Sequence, residues 1–479
     1  MPSLDFRRII FFGTGIPTII MVLRQKRERT DVLIIDASKG FVKEGKNNKL
    51  RASDIKRIRD TFVNRDSIPK FSRVVSREEI RSNDYNLNIP RYVDSSEAAE
   101  HWDIYATMFG GVPKAEVDEL AEFWSAFPNL KRTLFVDNGT PYADAAVAEN
   151  IKAAVKEHQD VVEFEKAFSK AFETFPDFLK EILIDQMDSV EIPKVEEILS
   201  DNIFERLENI PLIDKYAAFQ LLDDEWTKVA TDLEIIQTEG FGVVKKVDPN
   251  LVSKKKDGKE QEVQDGWVGH VIPFELIQST LLKQDYDEIK SLEARLAEIP
   301  SEYESILDEM TEEQKEACKD ALNEAGDAFV PKEVSKMTKA LKKDKTEDGV
   351  QLYAILSKVE NLMKAEKDAK VAIKKQNAEL QTKTKEAIEN LSDEEAIELL
   401  KEKWIVPVNN NIHKLPESII DELARKVQVL IDKYSVTLLD VENQIKNTEA
   451  ELSNMMDDLE GNEYDMKGLS ELKSLLLGE

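Results

Sequence analysis

The sequence predicts a mostly α-helical protein that begins with a short α/β segment. Near the start, the runs Ile16–Leu23 and Asp31–Ser38 are short, apolar and rich in β-branched residues, which is typical of buried strands. From about residue 97, apolar residues recur every three or four positions, which is the spacing of helices with one buried face. Between residues 420 and 459 this spacing is sustained without a gap, which indicates a coiled coil.

Composition excludes several classes of protein. Of the 479 residues, 41% are hydrophobic and 34% are charged, as in helical proteins with solvated surfaces. The single cysteine, Cys318, excludes an internal disulfide framework, and the four histidines are too scattered to form a local metal site. No apolar run approaches the roughly 20 residues of a membrane helix, and the N-terminus lacks a signal-peptide pattern. We therefore expect a cytoplasmic protein with no bound metal and no membrane contact.

Charge is distributed unevenly along the chain. Residues 1–91 contain 20 Lys and Arg against 11 Asp and Glu, a balance of +9, whereas the whole chain carries −29. An acidic chain is a poor nucleic-acid binder overall, but a local basic segment can still face phosphates. The alternative is that the basic segment merely pairs with acidic helices.

The N-terminal segment is expected to contain two buried strands, a helix and an edge strand. Gly13 and Gly15 precede a strand rather than a helix, so they supply a turn and not a phosphate-binding loop. Ser53 is a plausible N-cap for a helix over residues 54–64. Residues 78–93 alternate polar and apolar side chains, and Pro90 confines any strand there to a sheet edge.

Residues 93–345 read as helices joined by Pro and Gly loops. The clearest helical patterns lie at residues 115–127, 163–183 and 211–236. Residues 240–272 differ, because β-type runs flank a Lys-rich turn at Asp257 and Gly258. We expect a projecting β-hairpin there.

Residues 346–479 are expected to form long helices. A weaker apolar stripe spans residues 352–380, and Pro407 with Pro416 breaks the pattern, so the two stripes predict a helical hairpin. The stronger stripe would serve as a subunit interface. Its candidate interface residues are Ile420, Val427, Ile431, Tyr434, Leu438, Val441, Ile445, Leu452, Met455 and Leu459.

Several stretches resemble a known family. Residues 11–58 (FFGTGIPTIIMVL through ASDIKRI) and 71–93 are similar to the modification subunits of type I restriction-modification systems, which are adenine-N6 DNA methyltransferases. The resemblance continues at residues 102–120, 211–242 and 399–434. It implies that residues 1–92 are the C-terminal part of an α/β methyltransferase domain, residues 93–345 a helical domain and residues 346–479 an assembly segment.

The family's catalytic motifs are missing from this chain. The family uses S-adenosyl-L-methionine, held by a Gly-rich loop, and an Asn-Pro-Pro-aromatic motif that binds the flipped adenine. The chain contains no Asn-Pro-Pro sequence. We therefore assign no catalytic or cofactor-binding residue, expect a truncated subunit with an incomplete methyltransferase sheet, and expect no methyl transfer by this chain alone.

The resemblance also implies partners. They are double-stranded DNA, a DNA-specificity subunit, a restriction subunit and a second modification subunit. Candidate DNA contacts are Lys39, Lys43, Lys46, Lys49, Arg51, Lys56, Arg57, Asn86, Asn88, Arg91 and Tyr92. For residues 86–92 the competing interpretation is a structural crossover, and for the whole chain it is a non-enzymatic acidic coiled-coil scaffold.

Overall fold

The computed structural model describes residues 3–6, 18–26, 28–96, 101–147, 149–256 and 259–477. Contacts divide the chain into two compact units. Unit 1 comprises residues 1–179, 191–228 and 407–479, and unit 2 comprises residues 180–190 and 229–406. The described residues are mostly helical, as predicted from the apolar spacing.

The strands are short except in one hairpin. They are β1 (Ser3–Phe6), β2 (Thr18–Met21), β3 (Val32–Asp36), β4 (Val42–Glu44), β5 (Asn47–Lys49), β6 (Ser72–Val75), β7 (Val112–Pro113), β8 (Phe135–Asp137), β9 (Tyr142–Ala145), β10 (Val247–Lys256) and β11 (Lys259–Gly269).

The helices of unit 1 and of the segments leading into unit 2 are mostly short. They are α1 (Ala52–Asn64), α2 (Arg77–Ser82), α3 (Ile104–Phe109), α4 (Lys114–Asp118), α5 (Ala121–Ala126), α6 (Leu130–Leu134), α7 (Ile151–Lys156), α8 (Gln159–Phe172), α9 (Phe175–Lys180), α10 (Ile192–Leu207) and α11 (Lys215–Glu239).

The later helices include the longest ones described. They are α12 (Phe274–Thr280), α13 (Lys283–Glu309), α14 (Glu312–Ala317), α15 (Pro331–Leu341), α16 (Glu347–Glu389), α17 (Asp393–Ile412), α18 (Leu415–Lys433), α19 (Leu438–Asp457) and α20 (Glu463–Leu477).

The N-terminal sheet has the strand order β2-β1-β3-β6, with β1 parallel to β3 and the other neighbours antiparallel. Strand β3 is buried along its whole length. Val32 and Ile34 pack on one side of the sheet with Ile89, and Leu33 and Ile35 pack on the other side beside α1. The prediction of a strand buried on both faces is therefore confirmed for residues 32–36.

Strand β2 does not match the same prediction. It pairs with β1 and lies at the edge of the described sheet. Its side chains Ile19, Ile20 and Met21 are 52%, 40% and 47% exposed. The turn expected at Gly13 and Gly15 lies outside the described residues. The β-branched run correctly predicted a strand, but an edge position leaves its apolar faces uncovered.

Two local predictions in the N-terminal segment are wrong. Ser53 lies inside α1, whose N-cap is Arg51; the amide and guanidinium of Arg51 both donate to the Asp54 carboxylate. The Ser53 amide N–H donates to Gln220 Oε1 at 3.1 Å. The edge strand expected before Pro90 is also absent from the described residues 78–93, where α2 is followed by a 3₁₀ turn at Ile89–Arg91. Pro90 is tolerated at the start of this turn because no N–H is needed there.

The main core of unit 1 lies between the three-stranded sheet β7-β9-β8 and helix α18. Val117, Phe123, Phe127 and Phe164 pack against one face of α18. The helical patterns at residues 115–127, 163–183 and 211–236 are confirmed as helices, although the first two are divided into shorter segments.

In unit 2 the predicted β-hairpin is present. Strands β10 and β11 pair antiparallel from Val247 opposite Gly269 to Lys256 opposite Lys259. The turn predicted at Asp257 and Gly258 lies outside the described residues.

The helical hairpin involving α16 differs from the prediction. Tyr303 on α13 donates to Glu366 on α16 at 3.1 Å, and Lys383 on α16 lies 2.8 Å from Asp285 on α13. These contacts run in opposite chain directions, so α13 and α16 form an antiparallel pair within unit 2. Each unit therefore contains residues from both of the predicted segments 93–345 and 346–479. The division of the chain into three functional segments stays a prediction.

Pro407 does not break the chain as predicted, because α17 continues through it to Ile412. A proline inside a helix removes one backbone hydrogen bond and crowds the preceding turn. Here Trp404, Val408 and Ile412 are all at most 2% exposed, and burial of these side chains outweighs the local penalty.

The stripe from residue 420 to residue 459 does not lie on one continuous helix. Helix α18 ends at Lys433, and α19 begins after the N-cap Thr437, whose hydroxyl accepts from the Asp440 amide at 3.0 Å. The capping pair favours a helix start at this point. A sequence stripe that spans a break cannot reveal it, because apolar spacing alone does not report caps.

Candidate nucleic-acid interface

Four exposed lysines of the N-terminal segment lie between β3 and α1. Strands β4 and β5 form a short hairpin whose turn contains Gly45 with φ of 61°. Lys43, Lys46 and Lys49 are exposed on this hairpin. Lys49 lies 3.3 Å from Glu44, but both side chains are more than 60% exposed, so this pair holds the lysine only weakly. The hairpin can therefore present positive charge to phosphates.

Lys39 lies in the loop before this hairpin and is also exposed. Hydrogen bonds from Ser96, together with the more distant charges of Lys70 and Lys39, lower the pKa of Asp94. Arg51 makes two bonds with the carboxylate of Asp54, at 3.0 Å and 3.1 Å. Arg51 is therefore committed to capping α1, and a phosphate would have to compete with Asp54.

Lys56 is not available as the DNA contact that the sequence predicted, and Arg57 is only partly exposed, at 35% of its side chain. The Lys56 side chain is 10% exposed, and its Nζ lies 5.1 Å from the ring centre of Phe204. The Arg57 guanidinium lies 4.4 Å above the Phe71 ring and also contacts Tyr216. Both cations instead hold α1 against aromatic side chains of its own unit.

The segment 86–92 contains both buried and exposed residues. Tyr92 is 5% exposed, packs below the sheet and donates its hydroxyl to the Asn86 carbonyl at 2.5 Å. Arg91 donates to Asn83 Oδ1 at 3.3 Å. Asn86, Asn88 and Arg91 remain exposed. Tyr92 is thus excluded as a DNA contact by burial, while the other three stay candidates.

A buried carboxylate at the end of β3 was missed by sequence reasoning. Asp36 is 6% exposed, and it accepts bonds from the Ser38 amide at 2.9 Å and the Ser95 hydroxyl at 2.5 Å. The signal was an acidic residue directly after the apolar run VLII. Because each oxygen accepts one of these bonds, Asp36 fixes the loop that leads to Lys39.

Two partly buried carboxyl groups, Glu196 and Asp223, lie near Lys56. Burial, followed by the charge of Asp223, raises the pKa of Glu196, and burial is also the main cause of the raised pKa of Asp223. The Gln220 side chain donates to Asp223 at 3.1 Å and accepts from the Ser53 amide. These carboxyls therefore connect α10 and α11 to the start of α1.

Substitution Glu196→Gln is expected to stabilise the protein at neutral pH. A carboxyl whose pKa is raised in the folded state contributes stability below its unfolded pKa and loses it as pH rises through the folded value. The urea concentration at the midpoint of unfolding should therefore be higher for the variant than for the unaltered chain. The difference should grow as the pH rises above 4.5, the ordinary pKa of Glu. The exposed Glu205→Gln on the same helix is the control, and equal pH profiles for both variants would contradict the expectation.

The residues predicted as a subunit interface fall into two groups. Ile420, Val427 and Ile431 are at most 7% exposed and belong to the core of unit 1, and Tyr434 is 3% exposed. They are not accessible to a partner in the folded chain, which corrects that part of the prediction. The second group is 39–69% exposed and consists of Leu438, Val441, Ile445, Leu452, Met455 and Leu459. These six remain candidates.

The described residues offer neither a membrane-spanning helix nor a metal site. No described helix is long and apolar enough to cross a membrane. Within the described ranges, no group of three or more His, Cys, Asp and Glu side chains is arranged to hold a metal ion.

Comparison with known proteins places a family match at the N-terminus. Residues 4–101 match the family described as N-6 DNA Methylase. The chain is 38% identical over 96 residues to the type I restriction enzyme MpnII methylase subunit of Mycoplasma pneumoniae, covering 20% of this chain and 18% of that protein. It is 36% identical over 121 residues to the type I restriction enzyme MjaVII methylase subunit of Methanocaldococcus jannaschii, covering 24% and 21%.

A solved structure is similar over the same share of the chain. The type I restriction-modification system methyltransferase subunit from Streptococcus thermophilus is 43% identical and covers 20% of each chain, with a TM-score of 0.20. The chain spans about a fifth of the length of the curated relatives that it matches.

Proposed function

Because residues 4–101 of this chain match the family described as N-6 DNA Methylase, we propose that the chain acts as a modification subunit of a type I restriction-modification system. In this proposal it takes part in adenine-N6 methylation of DNA together with a DNA-specificity subunit, a restriction subunit and a second modification subunit. The family match carries the proposal, and the exposed lysines after β3 support it.

The role proposed for the N-terminal segment is to position DNA. Lys39, Lys43, Lys46 and Lys49 lie within eleven consecutive residues, and all four are exposed. Contacts from lysines to phosphates orient a protein on the duplex without reading its sequence. Sequence recognition would therefore come from another chain of the complex.

The cofactor of this family is S-adenosyl-L-methionine. The carboxylate at the end of β3, Asp36, is buried and accepts hydrogen bonds from Ser38 and Ser95. No residue of this chain is assigned to the cofactor, and no methyl-transfer step is assigned to residues of this chain.

Charge reversal on the β4–β5 hairpin tests the proposed DNA contact. The double variant Lys43→Glu, Lys46→Glu is expected to weaken binding of a duplex regardless of its sequence. Two lost phosphate contacts should reduce the slope of log affinity against log salt by about 2. Fluorescence anisotropy with a labelled duplex over a salt series measures both quantities.

The matched control is Lys364→Glu, Lys367→Glu, since both lysines are exposed on α16 in unit 2. It changes net charge equally but leaves the hairpin intact. An unchanged salt slope for the hairpin variant, or equal losses in both variants, would contradict the proposed contact.

The alternative function is a non-enzymatic acidic scaffold. The exposed apolar stripe on α19 favours an assembly role in either case, because its large side chains lack cover within the described residues. The DNA experiment separates the two functions, since a scaffold requires no phosphate contact from Lys43 and Lys46.

A further inference from the structure

A large apolar patch lies on unit 1 where α3 meets the start of α19. Helix α3 is short, and Ala106 is its buried residue. The exposed fractions of the main patch side chains range from 39% for Val441 to 77% for Ile104. This α3–α19 patch is formed chiefly by Trp102, Ile104, Tyr105, Phe109, Leu438 and Val441. Apolar patches of this kind mark interaction sites on otherwise polar surfaces.

The α3–α19 patch is held in shape by its own contacts. Tyr105 lies 4.8 Å from the ring of Tyr142 and 4.9 Å from the ring of Phe109. Gly110 has φ of 87°, and a Cβ there would lie 3.3 Å from Thr437 Cγ2. The end of α3 therefore lies directly against the N-cap of α19. A surface that is ordered in advance loses little conformational entropy on binding.

A buried ionic cluster fixes the corner between α18 and α19, next to the α3–α19 patch. Lys433 Nζ donates to Glu116 Oε2 at 2.8 Å and to the His101 carbonyl at 2.7 Å. The Tyr434 hydroxyl donates to Glu116 Oε1 at 2.5 Å and accepts from the Asp103 amide at 3.0 Å. Since Asp103 is also the N-cap of α3, this cluster ties the start of α3 to the end of α18.

Helix α19, which forms one side of the patch, is acidic. Its residues 438–457 contain five Asp and Glu but one Lys. The apolar side chains of α19 also follow helical spacing, with Leu438, Val441 and Ile445 separated by three and four residues. A stripe of that kind fits the apolar face of another helix.

We propose that the α3–α19 patch docks one amphipathic α-helix of a partner chain, with an apolar face and Lys or Arg along its edges. The proposal rests on the assembly role given above and adds the site and the charge of the partner segment. Basic edges complement the acidic α19. A second copy of this chain fits poorly, because its own α19 would bring five further acidic residues to the same contact.

Trp102, Tyr105 and Phe109 would serve as the anchors. Aromatic side chains concentrate binding energy at the centre of interfaces because they bury a large area with few rotatable bonds. The α19 side chains Leu438 and Val441 would contact the opposite edge of the docked helix.

Binding of synthetic peptides to the full chain tests the proposal. The probe is a helical peptide of about 20 residues, 30 Å long, with leucine on one face and lysine on the other. A second peptide has glutamate in place of every lysine. The lysine peptide is expected to bind at least about tenfold more tightly than the glutamate peptide.

Two variants on different elements locate the contact. Phe109→Ser on α3 and Val441→Ser on α19 are each expected to weaken lysine-peptide binding several-fold. Val63→Ser, whose side chain is 67% exposed on α1, is the control and should bind as the unaltered chain does. Circular dichroism of each variant confirms that the helices are retained.

Three outcomes would overturn the proposal. They are equal binding of both peptides, unchanged binding by both patch variants, and a dimer of the chain that dissociates when Phe109 is replaced. The duplex experiment on Lys43 and Lys46 is independent of this patch. If the peptides do not bind as expected but replacement of Lys43 and Lys46 still weakens duplex binding, only the docking site is rejected.

Discussion

Substitution Lys403→Met is expected to lower the free energy of unfolding by about 3–5 kcal/mol. Lys403 on α17 lies 2.5 Å from Asp232 on α11, and their side chains are 17% and 9% exposed. The lysine also donates to the Val271 carbonyl at 2.5 Å, and the Trp404 indole donates to the same Asp232 oxygen at 2.8 Å. Removing the ammonium leaves the buried Asp232 carboxylate without its counter-charge, and this unpaired charge lowers the free energy of unfolding.

Urea unfolding measures this loss, and two further variants identify its cause. Lys401→Met on the same helix removes a pair with Glu398 in which the glutamate is 70% exposed, so it should cost less than about 1 kcal/mol. The double variant Asp232→Asn, Lys403→Met should recover most of the stability, because Asn still accepts from Trp404 but carries no charge. Equal losses for Lys401→Met and Lys403→Met would contradict the buried-pair explanation.

Substitution Lys433→Met is expected to have a comparable effect on unit 1, again about 3–5 kcal/mol. The Lys433 and Glu116 side chains are 12% and 9% exposed and lie 2.8 Å apart. Burial lowers the pKa of Lys433, but hydrogen bonds to Glu116 and Tyr434 outweigh it and raise the pKa overall. The charged form is therefore the one that stabilises the fold at neutral pH.

Loss of this cluster should also loosen the corner between α18 and α19. Amide hydrogen exchange is expected to accelerate at the first turns of α3 and α19 in Lys433→Met. The control is Lys426→Met, on the same helix, whose pair with Glu422 has side chains 38% and 43% exposed. Unchanged exchange at Asp103 and Thr437 would show that the cluster does not hold the corner.

Local sequence patterns predicted much of the fold because the forces behind them are local. The apolar run after Asp31 produced the buried strand β3, and the β-type runs around residues 240–272 produced the hairpin of β10 and β11. Helical spacing likewise located α11 and α16. In each case burial of a regular apolar pattern outweighs other local preferences.

The candidate site was predicted less completely. The four exposed lysines, together with Asn86, Asn88 and Arg91, remain as proposed DNA contacts, but Lys56 and Tyr92 are largely buried and Arg57 packs against aromatic rings. A cation beside distant aromatic rings is indistinguishable in sequence from a cation in solvent. Phe204 follows Lys56 by 148 positions and Tyr216 follows Arg57 by 159 positions, so only the folded chain brings them together.

The sequence by itself determined the helical class, the basic N-terminal segment and the family resemblance of that segment, because these depend on composition, periodicity and motif. Tertiary structure alone decided which half of the stripe from residue 420 to residue 459 is core and which is surface. Both halves have the same spacing, but Ile420–Ile431 pack against Phe123 and Phe127 whereas Leu438–Leu459 lie beyond the cap at Thr437. Periodicity reports that a face is apolar, and only the arrangement of distant elements determines what covers it.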